Sequence, residues 1–145
     1  MKTGHGGIQL IKAFEGCQLH AYKCPADVWT IGYGNTFYKN GNKVKQGDYI
    51  TQQQAEDLLI DLLPKYEKTV ISNIKVPLTQ NQFDALVSFC WNCGSSKTLF
   101  ALINNKASEE EIKKFWENNY IKGGGKVLPG LVKRRKAEFN LFSLK

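Results

Sequence analysis

The hydrophobic period of this 145-residue chain changes twice, and that change restricts the folds open to it. Over residues 7–15, Ile8, Leu10, Ile11 and Phe14 recur at helical spacing, with Gly16 suited to end the helix. From Leu19 to about Thr51, aromatic and β-branched residues alternate with Gly, Asn and Pro. That is the pattern of short antiparallel strands joined by tight turns, "KNGNK" being one of them. Helical spacing then returns and lasts to the end. The expected fold class is therefore α+β, a small antiparallel β-sheet lobe packed beside a mainly helical lobe, in a single domain spanning 1–145. A cleft between such lobes is where a ligand is expected.

Helix starts are marked by side chains that satisfy free backbone N–H groups. Thr51 with Gln54 and Thr79 with Gln82 form capping boxes, and Ser108 with Glu111 opens a later helix. Pro64 is expected to bend or interrupt the helix that begins after Thr51. The run carrying Phe83, Leu86, Val87 and Cys90 is expected to be the most buried helix. "IKGGGKVLPG" reads as a glycine-rich loop, with Pro129 beginning the final helix. It follows no strand and lacks a Gly-Lys-Ser/Thr ending, which excludes a phosphate-binding loop.

The net charge of +7 suits a polyanionic partner and does not choose among nucleic acid, an anionic membrane face and an acidic wall polymer. The basic residues lack helix-turn-helix or aromatic-basic interleaving, so no nucleic-acid partner is expected. No run approaches the roughly 18 apolar residues of a membrane span, so stable membrane insertion is not expected. The N-terminal pattern is that of a helix and not of a signal peptide. Cys17, Cys24, Cys90 and Cys93 admit two disulfides, a zinc site or free thiols; free thiols are preferred, and no metal or organic cofactor is expected. His5 and His20 are isolated and read as surface residues.

Chemistry centres on three positions. Glu15 ends the first helix, Cys24 follows nine residues later in the turn-like Lys23-Cys24-Pro25-Ala26-Asp27, and Thr30 lies six beyond that on a strand. This order resembles the phage-type lysozymes, glycoside hydrolase family 24, whose pattern is a helix-terminal Glu, an Asp and then a Thr within "TIGYGHT"-like sequence. The blocks "LIKAFEGCQLHAYKCPADVWTIGYGNT", "ITQQQAEDLL", "PLTQNQFDALVSFCWNCGS" and "GGKVLPGLVKRRKAEFNLF" extend it in family order. The resemblance implies a monomeric endolysin that hydrolyses the β-1,4 bond between N-acetylmuramic acid and N-acetylglucosamine, with the peptidoglycan glycan strand as partner. It would wait in the host cytoplasm and reach the wall once the membrane is opened.

Within that reading Glu15 is the general acid, and Thr30 with Cys24 positions or activates water. A carboxyl at the C-terminal end of a helix and partly buried in a cleft is expected to keep its proton more readily. One of Arg134 and Arg135 is implied to approach it. The Thr30 hydroxyl would hold water on the far side of the sugar, as inversion requires. Cys24 departs from the usual Asp: a thiolate could serve as base or nucleophile, with Lys23 a possible source of activation, whereas a neutral thiol would be a tolerated replacement. Asp27 reads as an exposed turn residue and not a substitute carboxylate. A bond between Cys17 and Cys24 would remove an active thiol. Asn35 stands where His is usual after "GYG" and is expected to replace a charge pair with neutral hydrogen bonds. Among the aromatics of the sheet, Tyr33 and Phe37 are the candidates to stack on sugar rings. The alternative is a catalytically impaired peptidoglycan-binding domain, for which Cys24 is the sequence argument.

Overall fold

A computed structural model describes residues 1–24 and 26–144. Its helices are α1 (His5–Glu15), α2 (Gln52–Asn73), α3 (Gln80–Cys93), α4 (Lys97–Asn104), α5 (Glu109–Asn118) and α6 (Pro129–Ser143). Its strands are β1 (Gln18–Lys23), β2 (Trp29–Gly32), β3 (Lys122–Gly123) and β4 (Lys126–Val127), forming the antiparallel pairs β1-β2 and β3-β4. The expected α+β class and its small sheets are present. The chain divides into two units, Glu15–Pro64 and a second made of Met1–Phe14 with the chain from Lys65 onward.

In the unit Glu15–Pro64, β1 pairs with β2 through Tyr22 opposite Thr30 and Lys23 opposite Trp29. Single bridges, His20 with Tyr49 and Phe37 with Lys43, extend the pairing, so the region is less regular than the alternation suggests. Ile31, Val44 and Leu58 form its core, with Ala21, Trp29, Tyr38 and Ile50 packed against them. The Tyr38 hydroxyl donates to Asp48 Oδ2 at 2.7 Å, and the same oxygen accepts from the Lys45 N–H at 2.9 Å. Burial, reinforced by Asp48, raises the Tyr38 phenol to about 12.

The Thr51 box forms as expected: the Gln54 N–H donates to Thr51 Oγ1 at 3.1 Å, and the Thr51 N–H donates to Gln54 Oε1 at 2.8 Å. Of the bend or interruption expected at Pro64, the interruption does not occur, and α2 continues through it. The reason lies in what the missing N–H frees. Its ordinary acceptor would be the carbonyl of Ile60, whose residue is 52% exposed and open to water, while Leu59, Leu63 and Val70 keep the buried stripe continuous.

In the second unit, α3 buries every residue from Phe83 to Cys90, behind a complete Thr79–Gln82 capping box. Trp116 packs edge-on against Phe89 and Phe139 and lies 5.2 Å from the Phe142 ring centroid. Ser88 from α3, Trp116 from α5 and Arg134 and Arg135 from α6 surround Glu138, which is fully buried. The glycine-rich run is not merely a loop, because it carries the β3-β4 hairpin.

Candidate functional site

Glu15, Cys24, Thr30, Tyr33 and Phe37 all lie in the unit Glu15–Pro64. α1 ends at Glu15 because Gly16 adopts φ +66°, a conformation that side chains resist. Gly34, at φ +86°, faces the Glu15 carboxylate: a Cβ built there would stand 3.2 Å from Glu15 Oε1. Glycine thus satisfies two demands at once, a left-handed backbone and room for the acid.

Cys24 is held at the base of the turn between β1 and β2. Its N–H donates to the Val28 carbonyl at 3.0 Å, and the Asp27 N–H donates to the Cys24 carbonyl at 2.8 Å. Pro25, part of the turn read from the sequence, lies outside the described residues. The Thr30 side chain, 4% exposed, donates to the Val28 carbonyl at 3.0 Å. The backbone N–H of Val28, then that of Ala26, and the Thr30 hydroxyl stabilise the Cys24 thiolate and hold its pKa below the ordinary thiol value. A hydroxyl has one proton, so Thr30 serves the carbonyl or the thiolate at any instant. Lys23 is not the cause. Its ammonium pairs with Asp27 at 3.2 Å and lies over the Trp29 ring, which also accounts for Asp27.

Tyr22 links the two reactive groups. Burial first, then the charges of Cys24 and Glu15, raise its phenol above the ordinary value, so both groups lie within electrostatic reach of one ring. Sequence reasoning missed Tyr22, although strand alternation puts it on the face of β1 that position 24 continues. It also missed Gly34, whose signal is the glycine of "GYG".

Tyr33 is 5% exposed, and its hydroxyl accepts from Gln52 Nε2 at 3.0 Å, while Cys17 Sγ donates to Gln52 Oε1 at 3.7 Å. Phe37 is 49% exposed and lines a 190 Å³ cavity with Asn35, Lys39 and Leu62, which Glu15, Cys24 and Thr30 do not line. Asn35 is buried, exchanges backbone hydrogen bonds with Ile31, and donates through Nδ2 to the Leu58 carbonyl at 3.4 Å, a neutral link. The four cysteines are free thiols, and burial raises Cys90 to about 12. Among the described residues, no group of three or more His, Cys, Asp or Glu is arranged to hold a metal ion.

Arg134 and Arg135 belong to the other unit. There Arg134 Nε lies 3.3 Å from Glu138 Oε2, and Arg135 Nε lies 3.0 Å from Glu138 Oε1. Arg135 also donates to Asn92 Oδ1 at 2.7 Å and meets Cys93 Sγ.

A family model described as "Phage lysozyme" matches residues 12–138. The chain is 41% identical to an endolysin of Acyrthosiphon pisum secondary endosymbiont phage 1, over 98% of each protein. It is 43% identical to an endolysin of Bacillus phage PZA, using 99% of this chain and spanning 55% of that protein. Among solved structures, the muramidase domain of SpmX from Asticaccaulis excentricus superposes with a TM-score of 0.85 at 33% identity, covering 99% of both chains. An endolysin from Escherichia coli O157:H7 phage FAHEc1 gives 0.84 at 35% identity, covering 99% of this chain and 94% of that one.

Proposed function

The chain belongs to the phage lysozyme family, and from that premise we propose that it cleaves the β-1,4 bond between N-acetylmuramic acid and N-acetylglucosamine in peptidoglycan. Membership makes it a glycoside hydrolase of the endolysin type. The specific bond, the glycan strand as partner, action as a monomer and the residue roles belong to this proposal.

In the proposed cycle Glu15 protonates the leaving glycosidic oxygen, and water attacks the anomeric carbon. Cys24, as thiolate, takes the water proton or stabilises positive charge on the sugar, while Thr30 orients the water through its hydroxyl. Phe37 offers an exposed ring for sugar contact; Tyr33, being buried, would contribute through its hydrogen-bonded edge. No step calls for a cofactor.

One observation carries the reading: the thiol that replaces a carboxylate sits beside backbone and hydroxyl donors that favour its charged form, within reach of the same tyrosine as Glu15. An inert replacement would need none of these. The test is mass analysis of products from purified sacculi. Glu15→Gln keeps the shape but removes the proton and should lower the rate by about 10²–10⁴. Reducing muramic-acid ends from the parent support hydrolysis; anhydro ends would assign a transglycosylase. Wall pelleting by the parent without any product would leave only the binding-domain reading.

A further inference from the structure

The run "IKGGGKVLPG" has no part in the chemistry above, yet it builds an element of its own. Lys122 stands opposite Val127 and Gly123 opposite Lys126, so each face of the ribbon carries one lysine. Gly124 and Gly125, at φ +59° and +81°, make the two-residue turn. Leu128 occupies the space Gly123 leaves, since a Cβ at 123 would stand 2.5 Å from Leu128 Cδ1. At the base, Tyr120 packs edge-on against Phe89 at 5.2 Å. Despite these contacts Tyr120, Val127 and Leu128 are 43%, 53% and 41% exposed.

The surroundings have a single sign. Residues 118–136 include six Lys or Arg and no Asp or Glu. Arg134 and Arg135 are buried with Glu138, which leaves Lys122, Lys126, Lys133 and Lys136 facing water. The whole unit holds 16 Lys or Arg against 7 Asp or Glu, whereas Glu15–Pro64 holds 4 against 6. The protein's excess positive charge therefore belongs to this unit and not to the one that bears Glu15, Cys24 and Thr30.

We propose that the β3-β4 hairpin with Tyr120 and Leu128 is a docking element for an anionic lipid surface. The aliphatic and aromatic side chains enter the headgroup layer, and Lys122 and Lys126 meet lipid phosphates. Charge complementarity alone would also admit an acidic glycan. The exposed Val127 and Leu128 favour lipid, because aliphatic surface gains from leaving water only where other apolar groups receive it. Lysine fits the same interface, burying its stem while its ammonium stays at the phosphate level. The contact is interfacial: among the described residues no helix is long and apolar enough to cross a membrane.

The test floats the intact chain with vesicles of phosphatidylethanolamine containing phosphatidylglycerol, with phosphatidylcholine vesicles and purified sacculi in parallel. Expected is salt-sensitive flotation with the phosphatidylglycerol vesicles only. Lys122→Glu and Lys126→Glu should each weaken it by at least about five-fold, and Val127→Ser should weaken it too, with hydrolysis of lipid-free sacculi unchanged. Lys126→Gln removes the charge alone and repeats the test if a reversal perturbs the hairpin. Absence of flotation, equal flotation on phosphatidylcholine, or flotation indifferent to these substitutions overturns the proposal. So does loss of sacculus pelleting with vesicle binding intact, which would assign the hairpin to the glycan.

Discussion

At the scale of single residues, Cys24 carries the most chemical information. A thiol can replace a carboxylate only in its ionised form, and an unperturbed thiol is ionised to a few per cent at pH 7. The N–H groups of Val28 and Ala26 and the Thr30 hydroxyl favour that form, so the folded pKa is lowered and the thiolate persists to lower pH than in the unfolded chain. Alkylation of Cys24 by iodoacetamide, followed peptide by peptide against pH, should therefore show its inflection below the ordinary thiol value. Thr30→Val removes one donor and should move that inflection upward; an unmoved inflection would mean that Thr30 serves only the Val28 carbonyl. Under the proposed roles Cys24→Asp, charged throughout the neutral range, should match or exceed parental turnover in sacculus digestion, whereas Cys24→Ser should fall below it. The spacing of Glu15, Cys24 and Thr30 was legible in the sequence because each belongs to a residue-specific pattern. The donors around the thiol were not, because backbone N–H groups carry no residue code, and the side-chain charge of Lys23 was the visible but wrong candidate.

At the scale of elements, α1 shows how a helix can begin where its own sequence supplies no cap. Gly4, Gly6 and Gly7 are poor helix formers, and the apolar spacing alone puts the start near residue 7, yet the helix begins at His5. The reason is Asp84, 1% exposed on α3, whose carboxylate accepts from the Gly4 N–H at 2.9 Å and the Gly7 N–H at 3.1 Å. Gly7 makes the approach possible, since a Cβ there would fall 2.8 Å from Asp84 Cβ. Asp84→Ala leaves both N–H groups without this acceptor and should cost about 1–3 kcal/mol in urea denaturation. Gly7→Ala should destabilise as well, although alanine is the better helix former. Local caps at Thr51, Thr79 and Ser108 could be read from four-residue windows; a cap supplied from 77 residues away could not. The β3-β4 hairpin escaped for a related reason, its strands being two residues long and mostly glycine or lysine, too short to display a period.

At the scale of the whole molecule, the paired arginines of α6 serve a buried cluster that joins three helices. Burial, the largest effect, raises the Glu138 carboxyl above its ordinary value, and Arg135, Ser88, Arg134 and Trp116 oppose it. Each of these neighbours approaches Glu138 as a donor, with Ser88 Oγ at 2.7 Å and Trp116 Nε1 at 3.2 Å, an arrangement suited to a carboxylate. Such a cluster was not legible around Arg134 and Arg135, because its other members, Ser88 and Trp116, lie far away along the chain. Its energetic character is asymmetric: an intact buried ion pair adds little over well-packed apolar groups, but losing one partner strands the opposite charge. Glu138→Gln, nearly isosteric and neutral, should therefore destabilise the fold by about 3–5 kcal/mol, read as a lower urea midpoint with an unchanged slope. The triple replacement of Glu138, Arg134 and Arg135 by apolar residues should recover much of that loss. Recovery would identify stranded charge as the cost; a further fall would mean that the cluster's hydrogen bonds themselves hold α3, α5 and α6 together.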